Sequence, residues 1–99
     1  MSRIALVPVL VILAACNPVT AGNPSVEQAL ALAADRTCPL PVPERDSLLA
    51  AAVAADDATP VEAFLAQRPE DATAQATAQL IAGEPVVDPD RIACLSPYL

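Results

Sequence analysis

The most reactive side chains in this 99-residue sequence belong to three cysteines, Cys16, Cys38 and Cys94. Cysteine acts as a redox group or metal ligand when a second cysteine lies close by, as in Cys-x-x-Cys, or when further ligands accompany it. The three cysteines here are far apart in the chain, and Pro39 directly follows Cys38. The spacing therefore does not indicate a metal site, and redox chemistry by Cys38 and Cys94 stays open as an alternative.

Other catalytic groups are scarce in the sequence. It contains no histidine, only two glycines, and five basic residues that are all arginine. A Ser-His-Asp or Cys-His arrangement cannot be built without histidine, and neither an imine-forming lysine nor a glycine-rich phosphate loop is available. Asp88 and Asp90 flank a proline and lack the further oxygen ligands of a calcium loop. We therefore expect no enzyme activity, no metal and no cofactor.

The charge balance excludes a further class of function. Twelve acids outweigh the five arginines, which gives a net charge of −7 and a pI near 4.1. Binding to nucleic acid depends on clustered lysine and arginine that neutralise phosphates. We therefore expect no nucleic-acid partner.

The amino-terminal residues have the layout of a secretory signal. Arg3 precedes residues 4–13, which contain no polar side chain, and small Ala14 and Ala15 follow. As a helix, residues 4–15 would cover roughly 18 Å, against about 30 Å of bilayer hydrocarbon. The segment is too short to cross a membrane. This layout alone fits an ordinary cleaved signal peptide or an uncleaved apolar tail as well.

The end of this segment, Leu13-Ala14-Ala15-Cys16, resembles the lipobox of bacterial lipoprotein precursors. The resemblance implies cleavage before Cys16, attachment of diacylglycerol to its thiol, and acylation of the new amino terminus, for example by palmitate. Several acyl chains give stable membrane anchoring, whereas one chain gives only marginal binding. In enterobacterial members of this family an aspartate after the cysteine favours the inner membrane, so Asn17 points towards the outer membrane.

The resemblance also implies a domain organisation and a disulfide. Residues 1–15 would be the signal peptide, residues 16–24 the lipidated terminus and flexible tether, and residues 25–99 a small helical domain. With Cys16 assigned to lipid, Cys38 and Cys94 remain as an even pair in an oxidising compartment. A disulfide between them would close a long loop and so lower the entropy of the unfolded chain. In the chain-entropy model this stabilises the fold by about 4 kcal/mol.

Helix start and stop signals predict an all-α fold of four or five short helices in residues 25–99. Prolines 39, 41 and 43 interrupt the helices and predict an extended spacer over residues 38–44, with a proline-rich recognition peptide as the alternative. The first predicted helix starts at Ser25, with Gln28 completing a capping box, and the second covers residues 44–55. The third is capped by Thr59, and the fourth covers residues 70–82 and ends at Gly83. A short turn is predicted after Asp88.

Apolar spacing within these helices predicts which side chains form the core. The side chains expected to be buried are Val26, Ala29, Leu30 and Ala33; Leu48, Leu49, Ala52 and Val53; Val61, Phe64 and Leu65; and Ala72, Ala76 and Leu80. The repeated Ala-Thr-Ala-Gln of residues 72–79 favours close helix packing through alanine, with a polar Thr/Gln strip facing a partner as the alternative.

These features together predict a non-enzymatic lipoprotein of the bacterial cell envelope that faces the periplasm and binds another envelope protein. The acidic surface and the proline-rich spacer are the expected contact regions. Without Arg3 the mature chain would carry four arginines against 12 acids, a side-chain charge of −8, which anionic headgroups repel. The alternatives are a lysis-type lipoprotein that disturbs membranes and a thiol-disulfide protein that uses Cys38 and Cys94.

Overall fold

A computed structural model describes residues 23–99 of the chain. Within this range the protein is mainly helical and contains no β-strand. The elements are α1 (Pro24–Ala33), α2 (Pro43–Ala55), α3 (Thr59–Gln67), α4 (Ala72–Ala82) and two 3-10 helices, η1 (Pro89–Cys94) and η2 (Ser96–Tyr98). A disulfide joins Cys38, after α1, to Cys94 at the end of η1. The predicted small all-α fold closed by one disulfide is confirmed, whereas the predicted signal peptide and Cys16 lie outside the described residues.

The start of α1 differs from the prediction. Asn23, not Ser25, caps the helix: its side-chain oxygen accepts a hydrogen bond of 2.8 Å from the Ser25 N–H. Pro24 fits the first helical turn because it has no N–H that would need a partner. The Asn23 amide also donates to the carbonyls of Val53 and Ala54, each at 2.9 Å. Asn23 and Pro24, predicted as tether, therefore belong to the helical domain.

The turn between α2 and α3 explains the adjacent acids Asp56 and Asp57. Asp56 adopts a left-handed conformation with φ 53° and ends α2, a position that aspartate tolerates better than most residues. The Asp57 carboxylate accepts a hydrogen bond of 3.0 Å from the Thr59 N–H. This bond and one from the Thr59 hydroxyl hold the pKa of Asp57 below its usual range. The predicted capping role of Thr59 is therefore wrong, because Thr59 is the first residue of α3 and Asp57 supplies the accepting oxygen.

The end of α4 follows the prediction, and its start lies two residues later than predicted. Gly83 ends the helix with φ 75°, a conformation that costs glycine little because it has no Cβ. Asp71 caps the start, since its side chain accepts a hydrogen bond of 2.9 Å from the Ala74 N–H. An aspartate at the start and a glycine at the end, both common capping residues, therefore define α4.

The core is made of many alanines and few large side chains. α1 packs mainly against η1, and α4 contacts α3 and η1. Alanine lets helices approach closely, but it removes little apolar area from water. The largest fully buried apolar side chains are Leu49, Val53, Val61, Leu80, Ile92 and Leu95.

Two leucines predicted to be buried are exposed instead. Leu48 in α2 is 42% exposed, because the buried stripe of that helix runs through Asp46, Leu49, Ala50 and Val53. This i, i+3, i+4, i+7 pattern leaves position 48 on the flank of the helix. Leu30 in α1 is 46% exposed. Ala29 and Ala33 in α1 and Leu49, Ala52 and Val53 in α2 are buried as predicted, so each buried face is only slightly rotated from the predicted one.

The threonines of the repeated sequence in α4 lie in the core. Thr73 and Thr77 are fully buried, together with Ala74 and Ala76. The Thr77 hydroxyl donates a hydrogen bond of 2.8 Å to the Thr73 carbonyl oxygen, whereas the Thr73 hydroxyl has no partner among residues 23–99. Close packing through small side chains accounts for this helix face, and the alternative of a Thr/Gln strip facing a partner is wrong for its threonines.

We expect Thr73→Val to stabilise the domain by up to about 1 kcal/mol, because valine has the same shape and removes a buried hydroxyl that lacks a hydrogen bond. The matched variant Thr77→Val should destabilise it by about 0.5–1.5 kcal/mol, because it removes a hydrogen bond that is made. Urea unfolding of both variants measures the difference, and equal effects of the two substitutions would contradict this interpretation.

Candidate functional site

The structure joins two of the three predicted site residues. Cys38 and Cys94 form a disulfide with their Cα atoms 4.6 Å apart and a sequence separation of 56. Cys94 is 2% exposed and Cys38 is half-buried. The predicted pairing is therefore present, and it ties the chain after α1 to the carboxy-terminal 3-10 helices.

A buried carboxylate lies beside this disulfide. A side-chain oxygen of Asp46 and the sulfurs of Cys38 and Cys94 all lie within 4.8 Å of one another. Metal binding by cysteine uses the thiolate, and the bond between the two sulfurs removes that form. With the disulfide formed, this cluster is a structural contact between the bridge and α2.

Arg45 connects Asp46 to neighbouring parts of the fold. Its guanidinium donates from Nε to Asp46 at 2.9 Å and from Nη2 to the Leu40 carbonyl oxygen at 2.7 Å. Its Nη1 lies 3.4 Å from a carboxylate oxygen of Asp71, at the start of α4. Arg45 is 6% exposed and Asp46 2% exposed. This ion-pair network therefore lies almost entirely out of contact with water.

The extended spacer predicted over residues 38–44 is shorter in the structure, because α2 already begins at Pro43. The network holds this spacer, residues 38–42, in place. One end of the spacer is fixed by the disulfide at Cys38. Further along, the Leu40 carbonyl accepts from Arg45 and the Val42 N–H donates to Asp46 at 3.0 Å. Prolines restrict the backbone of the spacer further. These constraints fix the position of Val42 relative to α2.

Val42 forms one wall of a groove between α2 and α3. Two open cavities of ≈ 300 and ≈ 400 Å³ share Leu48 and Phe64 in their linings. We call the two together the α2–α3 groove. Its lining residues are Val42, Glu44, Arg45, Leu48, Pro60, Ala63, Phe64, Gln67, Arg68 and Asp71. Apolar side chains line both cavities, whereas charged side chains line only the first.

The charged end of the groove is lined by two acids, Glu44 and Asp71, and by two arginines, Arg45 and Arg68. Arg36 pairs with Asp90, Arg91 pairs with Asp88, and Arg45 pairs as described above. Among the residues that the structure describes, Arg68 makes no salt bridge to an acid, and it is exposed. An exposed guanidinium beside apolar surface is suited to binding a carboxylate and an apolar side chain together.

Sequence reasoning missed the groove for an identifiable reason. Leu48 is apolar and fits a helical stripe, which predicts burial, but in the structure Arg45 and Asp46 occupy the buried side of α2 and Leu48 does not. Acids in the first turn of a helix usually interact favourably with the helix dipole at the surface. The sequence therefore does not indicate that Asp46 is buried. The adjacent pair Arg45-Asp46 just after three prolines was the available sign of a buried ion pair.

No match to this chain was found among protein-family models, curated proteins or solved structures. Between residues 23 and 99, no helix has the length and apolar content that spanning a bilayer requires.

Proposed function

We propose that this protein is a lipoprotein of the bacterial cell envelope, anchored through lipid on Cys16 and facing the periplasm. Its helical domain binds another envelope protein through the α2–α3 groove and performs no catalysis. The groove is the observation that carries the binding role, because it combines uncovered apolar side chains with an arginine that makes no salt bridge within residues 23–99.

The cysteine arrangement supports the anchoring part of this proposal. The sequence has three cysteines, and the bond between Cys38 and Cys94 leaves Cys16 as the third. Cys16 is also the cysteine that follows Leu13-Ala14-Ala15, in the lipobox pattern. Disulfides of this kind form in oxidising compartments such as the periplasm. The periplasmic side of the membrane is thus compatible with both the disulfide and the lipid anchor.

Charge and chain length support a domain held away from the bilayer surface. The chain from Cys16 onward carries a side-chain charge of −8, from four arginines and 12 acids, and anionic headgroups repel it. Residues 16–22 precede α1 and its cap, and they could reach about 23 Å when extended. The groove would then remain accessible to a protein partner. Asn17 favours the outer membrane.

The two alternative functions receive less support from the structure. Thiol-disulfide exchange requires access to a sulfur, and Cys94 is buried while Cys38 is half-buried. Membrane disturbance by a lysis-type lipoprotein would require an acidic domain to approach headgroups that repel it. The binding module is therefore the function that we propose.

The anchoring claim is tested by expressing the wild type, Cys16→Ser and the matched control Asn17→Gln in a bacterium supplied with labelled palmitate. We expect the label and membrane fractionation in the wild type and in Asn17→Gln, and complete loss of the label in Cys16→Ser, because only the thiol of Cys16 accepts the diacylglycerol. Label that persists in Cys16→Ser, or a wild type that takes up none, would contradict the proposal.

A further inference from the structure

We infer that the buried carboxylate of Asp46 protects the Cys38–Cys94 disulfide from exchange with thiols. The protection is electrostatic, because a negative charge that forms on Cys94 during exchange would lie beside a carboxylate in the interior of the domain. The attacking molecule would be a small thiol or a protein with an exposed dithiol. This role of Asp46 depends neither on the α2–α3 groove nor on the lipid anchor.

The burial of the two sulfurs determines which of them a thiol can attack. Cys38 is half-buried, whereas Cys94 is 2% exposed. An attacking thiolate therefore forms a bond to the Sγ atom of Cys38, the bond between the two cysteines breaks, and its electron pair stays on the Sγ atom of Cys94. With a dithiol, the second thiolate then displaces Cys38, and the dithiol is oxidised to a cyclic disulfide. Its two protons pass through water to the two cysteines.

Asp46 lies where this step places the negative charge. One of its carboxylate oxygens and the sulfurs of Cys38 and Cys94 all lie within 4.8 Å of one another. Asp46 and Cys94 are each 2% exposed, so water and salt screen their repulsion much less than at the surface. A sulfur leaves more readily when its thiolate is more stable. The carboxylate therefore makes Cys94 a poor leaving group and slows the exchange.

Arg45 does not cancel this effect. Its guanidinium is shared between Asp46 and Asp71, so the three side chains together carry one net negative charge. All three of its nitrogens already donate, to Asp46, to Asp71 and to the Leu40 carbonyl. The Val42 N–H is bonded to Asp46 as well. The donors that surround the carboxylate are thus engaged before a thiolate forms beside it.

An electrostatic role of Asp46 can be distinguished from a structural one, because the two affect disulfide formation differently. Closure of the bond requires the thiolate of Cys94 as the attacking group, so the carboxylate slows formation as well as reduction. A loosened fold would instead speed reduction and slow formation, because the two cysteines would no longer be held near each other. The rates in the two directions therefore separate the two roles.

The experiment uses the full-length Cys16→Ser chain in detergent micelles, in which Cys38 and Cys94 are the only cysteines. Dithiothreitol reduces the bond, oxidised glutathione restores it, and alkylation followed by mass spectrometry gives both rates. We expect Asp46→Asn to accelerate reduction about fivefold or more and formation about twofold or more, because the Cys94 thiolate becomes more stable. The control Asp71→Asn makes the same change in the same network but outside the cluster around the sulfurs, and it should alter each rate less than about twofold.

Two results would overturn the inference. Unchanged rates in Asp46→Asn would show that burial of the sulfurs alone controls exchange. Faster reduction combined with slower formation would show that Asp46 only holds the fold together. If circular dichroism shows that Asp46→Asn does not fold, Arg45→Met/Asp46→Leu takes its place, since it leaves no unpaired charge in the interior. That variant should show the same acceleration in both directions.

Discussion

Replacing both Cys38 and Cys94 with alanine should lower the free energy of unfolding by about 4 kcal/mol. The bond restrains a loop with a sequence separation of 56, and its removal increases the entropy of the unfolded chain. Domains of this size have total stabilities of about 5–15 kcal/mol. The core here is rich in alanine and gains little from hydrophobic burial, so the loss is a large share of the total.

Urea unfolding of the full-length wild type and the double variant measures this loss. Reduction of the wild type should produce the same shift in midpoint, because it breaks the same bond. Cys16→Ser serves as the control and should leave the midpoint unchanged, since that residue precedes the helical domain. A loss below about 1 kcal/mol would mean that the helices are held together without the bridge and that its structural role is minor.

Arg45→Met should destabilise the domain by about 3 kcal/mol or more. Asp46 is 2% exposed, and removing its counter-ion would leave a carboxylate in the interior with a single N–H donor, from Val42. The Leu40 carbonyl would lose its hydrogen bond from the guanidinium as well. Breaking one half of a buried pair costs more than the pair contributes, because the remaining charge stays desolvated.

The matched control is Arg36→Met, which removes the same charge from an exposed pair. Arg36 and Asp90 are 40% and 58% exposed, and such pairs contribute less than about 1 kcal/mol. The double variant Arg45→Met/Asp46→Leu should recover much of the stability lost in Arg45→Met, because no unpaired charge remains. Urea unfolding compares the three variants, and equal costs for Arg45→Met and Arg36→Met would show that the buried network does not stabilise the fold.

The disulfide and the ion-pair network act on the same part of the molecule. The bridge fixes Cys38, and the network fixes Leu40 and Val42. The disulfide and the ion-pair network together hold the proline-rich spacer so that its Val42 lines the groove. The sequence predicts a rigid spacer, with a proline-rich recognition peptide as the alternative, and names the spacer as an expected contact region. Rigidity and contact are compatible, because the fixed spacer places Val42 in the same cavity lining as Leu48.

Helix ends were predictable where they depend on a single residue type. Gly83 ended α4 as expected, because only glycine takes a positive φ without cost. The start of α1 was predicted wrongly, because Asn23 and Ser25 are both good caps and the sequence does not rank them. Asn23 also bonds to the end of α2, which is tertiary information that local patterns lack.

Burial was harder to predict than helix position. Leu48 and Leu30 are exposed while Thr73 and Thr77 are buried, because the rotation of each helix depends on its neighbours. With few large side chains, the amphipathic pattern constrains that rotation weakly. The groove is a consequence of this rotation, so a reading of the sequence could not locate it. The cysteine pairing was easier, because the lipobox resemblance left only one combination.

Mass spectrometry of the intact protein, purified from bacterial envelopes, shows whether Cys16 is the lipidated first residue of the mature chain. We expect a polypeptide that begins at Cys16 and carries the added mass of a diacylglyceryl group and an acyl chain on that residue. It should also contain a bridge between Cys38 and Cys94 that opens on reduction. A polypeptide that retains residues 1–15, or that carries an unmodified Cys16, would contradict it.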